Sequence, residues 1–282
     1  MIATLLATVL IPLSTLCEQL NSRSQSKIPN ELSSPLTSLI LGGHLSPRRS
    51  FYVKIETWRS KTYTEACGGT IVHSQWVVTA AHCVYGAENE HIQVFIGDFT
   101  KPVPVSTWRN VSVIYWYDEY DDSSLANDIA MLKILNHVFP EHAILPPCKE
   151  YEPAYCSILA VCGTGRSTRR HHYLSLVLKE LYLLQEIPNG RERDSWSDLI
   201  CTRRLPGYQH GRTFGGDSGG PLYTFNESVS DQPRCLYGVA SNNPLWRSWF
   251  DLVILERDMS CFASAVYFHD WIYEVIDVFK EW

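Results

Sequence analysis

The stretch TFGGDSGGPL, residues 213–222, decides how the rest of the chain is read. A serine between glycines is most often a turn, and its hydroxyl is a weak nucleophile unless a general base lies within hydrogen-bond reach. Ser218 therefore carries chemistry only if the chain supplies that base and a group to orient it. Two residues stand in fitting places. In VVTAAHC, residues 77–83, His82 ends an apolar run beside Cys83, and in NDIAMLK, residues 127–133, Asp128 opens another. Each alone reads as a satisfied polar residue. With Ser218, and in the order His, Asp, Ser, they form a set used for acyl transfer.

Around these residues the apolar runs are short: FYVKIE, GGTIV, QWVVTA, IQVFIG, VSVIYWY and IAMLKIL, then SILAVC, LVLKELYLL, PLYTF and CLYGVAS. Brief β-rich runs separated by turn residues predict antiparallel strands closed into a sandwich or barrel, not βα alternation. Only FHDWIYEVIDVFKEW, residues 268–282, is helical in character, with Trp271, Ile272, Ile276 and Phe279 along one side. The fold class is all-β with a C-terminal helix. Residues 216–220 also match the G-x-S-x-G nucleophile elbow, for which Asp251 and His269 are the nominal partners. That motif needs a parallel sheet with a strand and a helix about the serine, and the pattern here offers neither.

The three motifs in this order resemble those of the trypsin/chymotrypsin-like serine proteases, from Ile40 to the C-terminal helix. The resemblance implies two antiparallel six-stranded β-barrels, lobes of about 40–150 and 151–267 within a domain of 40–282, and a serine endopeptidase acting on protein or peptide substrates. By it His82 is base then acid, Asp128 holds the imidazole and Ser218 is the nucleophile. The N–H groups of Gly216 and Ser218 form the oxyanion hole, and Gly216 suits a loop that turns its N–H inward. Ser241, in YGVAS, matches the serine that stands near the buried aspartate.

The resemblance also implies a zymogen. In ILGGHL, residues 40–45, cleavage before Ile40 frees an amino group whose partner is Asp217, since a buried ammonium requires a carboxylate. Leu39 stands where relatives often carry Arg or Lys, which disfavours a trypsin-like activating protease. The primary pocket departs as well. Arg212, six residues before Ser218, falls at its floor, where trypsin-type enzymes use an acid. A guanidinium there pairs with a substrate carboxylate, turns outward to leave an apolar slot, or plugs the pocket. Phe214 replaces a bracing cysteine, Asn242 replaces an aromatic residue, and Ala265 falls on the pocket wall and leaves room for a side chain. These departures keep a second reading open, a catalytically weak homologue used as a protein-binding module.

Of the nine cysteines, Cys67 and Cys83 are at the family spacing for a bridge. Cys201 and Cys261 lack their usual partners, so a bridge between them is the open pairing. Cys156 with Cys235, and Cys17 with Cys148, are further candidates, and Cys162 is expected buried and inert. MIATLLATVLIPLSTLC, residues 1–17, reads as a secretory signal, and residues 18–39, polar and rich in Ser and Pro, as a propeptide. Sequons at Asn110 and Asn226 fit a secreted glycoprotein. A net charge of −6 offers no broad basic surface, so nucleic acid is not an expected partner. No later run is long enough to span a membrane, and a monomer meeting substrates, an activating protease and protease inhibitors is expected. No cofactor or metal is implied: His171 and His172 are adjacent and point apart, and the acidic run Asp118, Glu119, Asp121, Asp122 reads as a solvated loop.

Overall fold

Each of the ten apolar runs supplies a strand in the computed structural model, which describes residues 43–100, 108–150, 158–165, 177–185, 198–205, 212–213, 215–226, 229–241 and 259–279. A short strand β1 (His44–Leu45) precedes β2 (Tyr52–Ser60), β3 (Tyr63–His73), β4 (Trp76–Thr79), β5 (Ile92–Phe95), β6 (Trp108–Trp116) and β7 (Ala130–Ile134). Strands β2 to β7 close into an antiparallel barrel in the order β2-β3-β4-β7-β6-β5. The second half holds β8 (Ile158–Gly163), β9 (Lys179–Gln185), β10 (Leu199–Arg204), β11 (Pro221–Asn226), β12 (Val229–Ser241) and β13 (Met259–Ser264). They run β9-β10-β13-β12-β11-β8, and the β8–β9 pairing closes the ring. Strand β1 adds to β9, with His44 opposite Glu180. The two six-stranded barrels and the C-terminal helix anticipated from the sequence are present.

The period-two pattern sets what each strand buries. In β2, Val53, Ile55 and Thr57 are buried while Trp58 and Ser60 face solvent. In β8, Leu159 and Val161 join the core shared with Leu222, Tyr237 and Phe262, whereas Ala160 and Cys162, on the other face, join the larger core. Helix α1 (His269–Val278) follows the second barrel in sequence but packs on the first. Its buried residues are Ile272, Val275 and Ile276, while Trp271 and Phe279 are partly covered by Tyr115 and Trp76. Lys133 Nζ donates to the Phe279 carbonyl at 2.7 Å, placing a cation at the helix C-terminus, where it is favourable.

Cys67 and Cys83 are bridged, and Cys201 pairs with Cys261, which the β10–β13 register sets directly opposite. The remaining pairings require correction. Cys148 is bonded to Cys235, and since each sulfur makes one such bond, both the Cys17–Cys148 and Cys156–Cys235 candidates fall. The cause is a backbone contact that sequence does not display. Pro147 bridges to Leu236, with Cys148 N–H on the Leu236 carbonyl at 2.8 Å and Leu236 N–H on the Pro146 carbonyl at 2.9 Å. Cys17 and Cys156 lie outside the described residues. Cys162 is buried and unbridged, and burial pushes its thiol well up.

Between β1 and the second barrel lies a buried ion pair. Arg49 Nε donates to Glu180 Oε2 at 2.8 Å and its Nη2 to Oε1 at 3.1 Å, with Ser46 Oγ and the Tyr223 hydroxyl also donating to Oε2. Glu180 is fully enclosed and Arg49 is 5% exposed. Burial alone raises the Glu180 carboxyl, but the Arg49 hydrogen bonds and charge outweigh it and hold the group below the usual range. A carboxylate with a depressed value stabilises the fold above its ordinary pKa and loses that contribution as pH falls. Glu180→Gln, which strands the Arg49 charge, is expected to cost about 3–5 kcal/mol at neutral pH. The gap from the parent should narrow on acidification, as urea unfolding at several pH values would show.

Candidate active site

His82 sits in a single 3-10 turn, Ala81–Cys83, at the end of β4, where the chain leaves the barrel wall. Cys83 anchors this turn to β3 through the disulfide to Cys67. Asp128 lies two residues before β7, the neighbour of β4, and the Thr79–Ala130 pairing brings the two ends together. The loop before Asp128 is shaped by its own polar groups. Asp121 accepts from Ser123 N–H and from the Ser123 and Ser124 hydroxyls, and Leu125 and Asn127 adopt φ of 56° and 55°. Asparagine tolerates that left-handed conformation, whereas leucine is strained there. Asn127 Nδ2 fixes the turn on the Glu119 carbonyl at 3.0 Å.

Asp128 is fully buried and accepts three hydrogen bonds. The His82 backbone N–H donates to Oδ1 at 2.9 Å, and His82 Nδ1 donates to Oδ2 at 2.7 Å. Ser241, at the end of β12, donates its hydroxyl to Oδ2 at 2.5 Å. Fixing the proton on Nδ1 leaves Nε2 as the basic nitrogen. Burial by itself disfavours the charged ring, but the charge and hydrogen bond of Asp128 reverse this, so His82 lies above its ordinary value.

Ser218 lies in a turn clamped from both barrels. Its carbonyl accepts from Gly68 N–H on β3 at 2.7 Å, Gly219 N–H donates to the Ala240 carbonyl on β12 at 2.7 Å, and Gly220 N–H to the Asp217 carbonyl at 2.9 Å. Gly219 has φ of 76°, and a Cβ there would collide with Thr79 Oγ1 and the Gly68 carbonyl. Gly216 has φ of 96°, a left-handed conformation that favours glycine. Strand β12 thus places Ser241 on Asp128 and, one residue earlier, holds the Ser218 turn through Ala240. Among the described residues no hydrogen bond joins Ser218 Oγ to the His82 ring, whose Nε2 lies 3.7 Å from Cys83 Sγ. The 216–218 turn and the Asp128–His82–Ser241 cluster are thus each fixed, and among the described residues no hydrogen bond links the two.

Asp217 is fully buried, and Oδ1 accepts from Gly165 N–H at 2.9 Å. A Cβ at Gly163 or Gly165 would strike that carboxylate, so these glycines make the room it occupies. Ile40, Phe214 and Asn242 lie outside the described residues, as do the signal and propeptide segments. Arg212 is half-buried, and its neighbour Thr213 donates its N–H to Ser260 Oγ on β13 at 2.9 Å. Ala265 is fully buried, its N–H on the Tyr237 carbonyl at 3.0 Å. Donor atoms of Cys67, His82 and Cys83 cluster within 4.8 Å, but both sulfurs are spent in a disulfide and offer no thiolate to a metal. Sequence reasoning missed Gly68, Thr79, Gly163 and Gly165; of these only Gly68, in the CGG beside the bridging Cys67, carries a local signal.

Comparison with known proteins bears on this arrangement. Residues 40–245 match the family model described as Trypsin. Trypsin II-P29 of Gallus gallus is 26% identical over 84% of this chain and 89% of its own length, and serine protease SSP1 of Scolopendra subspinipes is 27% identical over 68% of each. Coagulation factor XI of Bos taurus is 26% identical over 88% of this chain but 39% of its own length. Among solved structures, the inactivated protease paralogue S-D1 of the scabies mite superposes with a TM-score of 0.65 at 20% identity, covering 84% of this chain and 97% of that one. That last likeness speaks for the fold alone. His82 should titrate above the ordinary histidine value in an NMR pH series, and Asp128→Asn should lower it, because burial then acts without the Asp128 charge and hydrogen bond that outweigh it. An unchanged titration would show that Asp128 does not govern the ring.

Proposed function

The chain belongs to the trypsin family, and from that membership we propose that it is a secreted serine endopeptidase working through Ser218, His82 and Asp128. The observation that carries this reading is the buried Asp128 carboxylate, which holds His82 Nδ1 and Ser241 at once and leaves Nε2 free to take a proton. Ser218 Oγ attacks the substrate carbonyl while His82 takes its proton. The oxyanion meets the N–H groups of Gly216 and Ser218. His82 then gives the proton to the leaving amine, and water hydrolyses the acyl-enzyme by the reverse sequence.

Activation follows from Asp217. Cleavage before Ile40 releases an ammonium that replaces Gly165 N–H as the partner of this buried carboxylate and orders the 216–218 turn. Residues 1–17 act as the signal peptide and 18–39 as the propeptide. Asn110 is exposed on β6 and open to glycosylation, with Asn226 the second acceptor. Protein or peptide substrates enter as monomeric enzyme meets them, with Arg212 at the pocket floor and Ala265 on its wall. Among the described residues no helix is long and apolar enough to cross a membrane.

The open link between Ser218 and His82, together with Arg212, favours a second reading, a catalytically weak homologue that binds proteins. Cleavage of a mixed peptide library by the chain beginning at Ile40 separates the two. The enzyme reading expects hydrolysis that Ser218→Ala lowers by about 10⁶-fold. Cleavage after Asp or Glu, lost in Arg212→Ala, assigns the guanidinium to the substrate carboxylate, and cleavage after apolar residues turns it outward. Absence of cleavage by a chain with a verified Ile40 terminus would contradict the enzyme reading and leave the binding one.

A further inference from the structure

The turn carrying His82 is held from a direction that the triad does not explain. A 3-10 turn leaves its last carbonyls without partners inside the turn. Two alternate residues of β2, on one face of the strand, reach across and take them. Thr57 Oγ1 donates to the Cys83 carbonyl at 2.8 Å. Arg59 Nη2 donates to the His82 carbonyl at 2.6 Å and its Nη1 to the Tyr85 carbonyl at 2.7 Å. The remaining edge is occupied as well, since Arg59 Nε donates to Glu65 Oε2 on β3 at 2.9 Å. The guanidinium is thus a planar fork spent on two backbone carbonyls and one carboxylate, a set that a flexible ammonium cannot reproduce.

We propose that Arg59 is a positioning residue for His82: anchored by Glu65, it fixes the backbone on both sides of Cys83 and so sets where the imidazole stands relative to Ser218. The inference rests on the acyl-transfer reading of Ser218, His82 and Asp128. As an ion pair, the half-buried Arg59–Glu65 contact contributes modestly. Here the consequence is geometric, because a shift of about 1 Å in a catalytic group costs up to about 100-fold in rate. Tyr85 reports on the same contact, since its ring packs edge-on against Trp116 and Tyr120 at 5.2 and 5.1 Å. The charged groups facing His82 are Asp128 from the segment before β7, Glu65 from β3 and Arg59 from β2, with Glu65 favouring the protonated ring and Arg59 opposing it.

The test follows the pH dependence of fluorophosphonate capture of Ser218 in the chain beginning at Ile40, alongside NMR titration of His82. Arg59→Met is expected to lower the plateau rate by about 10- to 100-fold and move the midpoint to higher pH. Glu65→Gln should move the midpoint the opposite way. Arg59→Lys should restore the midpoint but not the plateau, because one ammonium cannot span both carbonyls and Glu65. The midpoints read the charges of Arg59 and Glu65 on the ring, and the plateau, lost in Arg59→Met and not restored by lysine, reads the positioning. A plateau rate for Arg59→Met within about twofold of the parent overturns the proposal, whatever the midpoints do. If Arg59→Met does not fold, the lysine and Glu65→Gln variants decide it in the same way. If the parent is never labelled, the acyl-transfer reading fails separately, and the His82 titration still decides whether Arg59 and Glu65 act on the ring.

Discussion

The barrels meet backbone against backbone beside Ser218, and the site depends on it. A Cβ on Gly68 of β3 would lie 2.9 Å from the Gly220 Cα, and one on Gly219 would strike Thr79 of β4. Across this seam the Gly68 N–H meets the Ser218 carbonyl, so the first barrel holds the Ser218 turn of the second. Side chains of any size would part the barrels and carry Ser218 away from His82, since packed interiors yield little to added volume. Helix α1 acts at long range to the same end, tying the end of the chain back onto the first barrel through Ile272, Val275 and Ile276.

Around the seam the chain buries carboxylates and gives each a different holder. Glu180 is held by Arg49, a charge against a charge, and secures the first described strand to the second barrel. Asp128 is held by neutral donors and by the ring it orients. Asp217 sits among glycines, with the Gly165 N–H on one oxygen. Burying an anion costs free energy unless its partners are fixed in place. That cost explains why each is surrounded by turns and strand ends that bring backbone N–H groups and hydroxyls to one point.

The β class was legible because FYVKIE, QWVVTA and CLYGVAS are brief β-rich runs set between turn residues, and the division into two barrels was implied by the family resemblance of the three motifs. Strand β10, LICTRR, escaped notice because its inward residues include a cysteine and a threonine, and so did β13, with Ser260 and Cys261 in place of a plain apolar run. His82, Asp128, Ser218 and Ser241 stood out through motif and order, and His82 and Ser241 meet on the Asp128 carboxylate. The Cys148–Cys235 bridge was hidden, because the parallel contact of Pro147 with Leu236 joins segments far apart in sequence. Arg59 and Glu65 were hidden for a related reason. Their partners are carbonyls, and a sequence does not show which carbonyls a turn leaves open.

The central claim is that a buried Asp217, met by a new Ile40 ammonium, sets a reactive Ser218 before a fixed base. A crystal structure of the chain beginning at Ile40, after reaction with a fluorophosphonate, tests it most directly. The account expects phosphorus on Ser218 Oγ, its oxygen facing the Gly216 and Ser218 N–H groups, and the Ile40 nitrogen within about 4 Å of the Asp217 carboxylate. An unmodified Ser218, with Ile40 in solvent and Asp217 still on the Gly165 N–H, would contradict it.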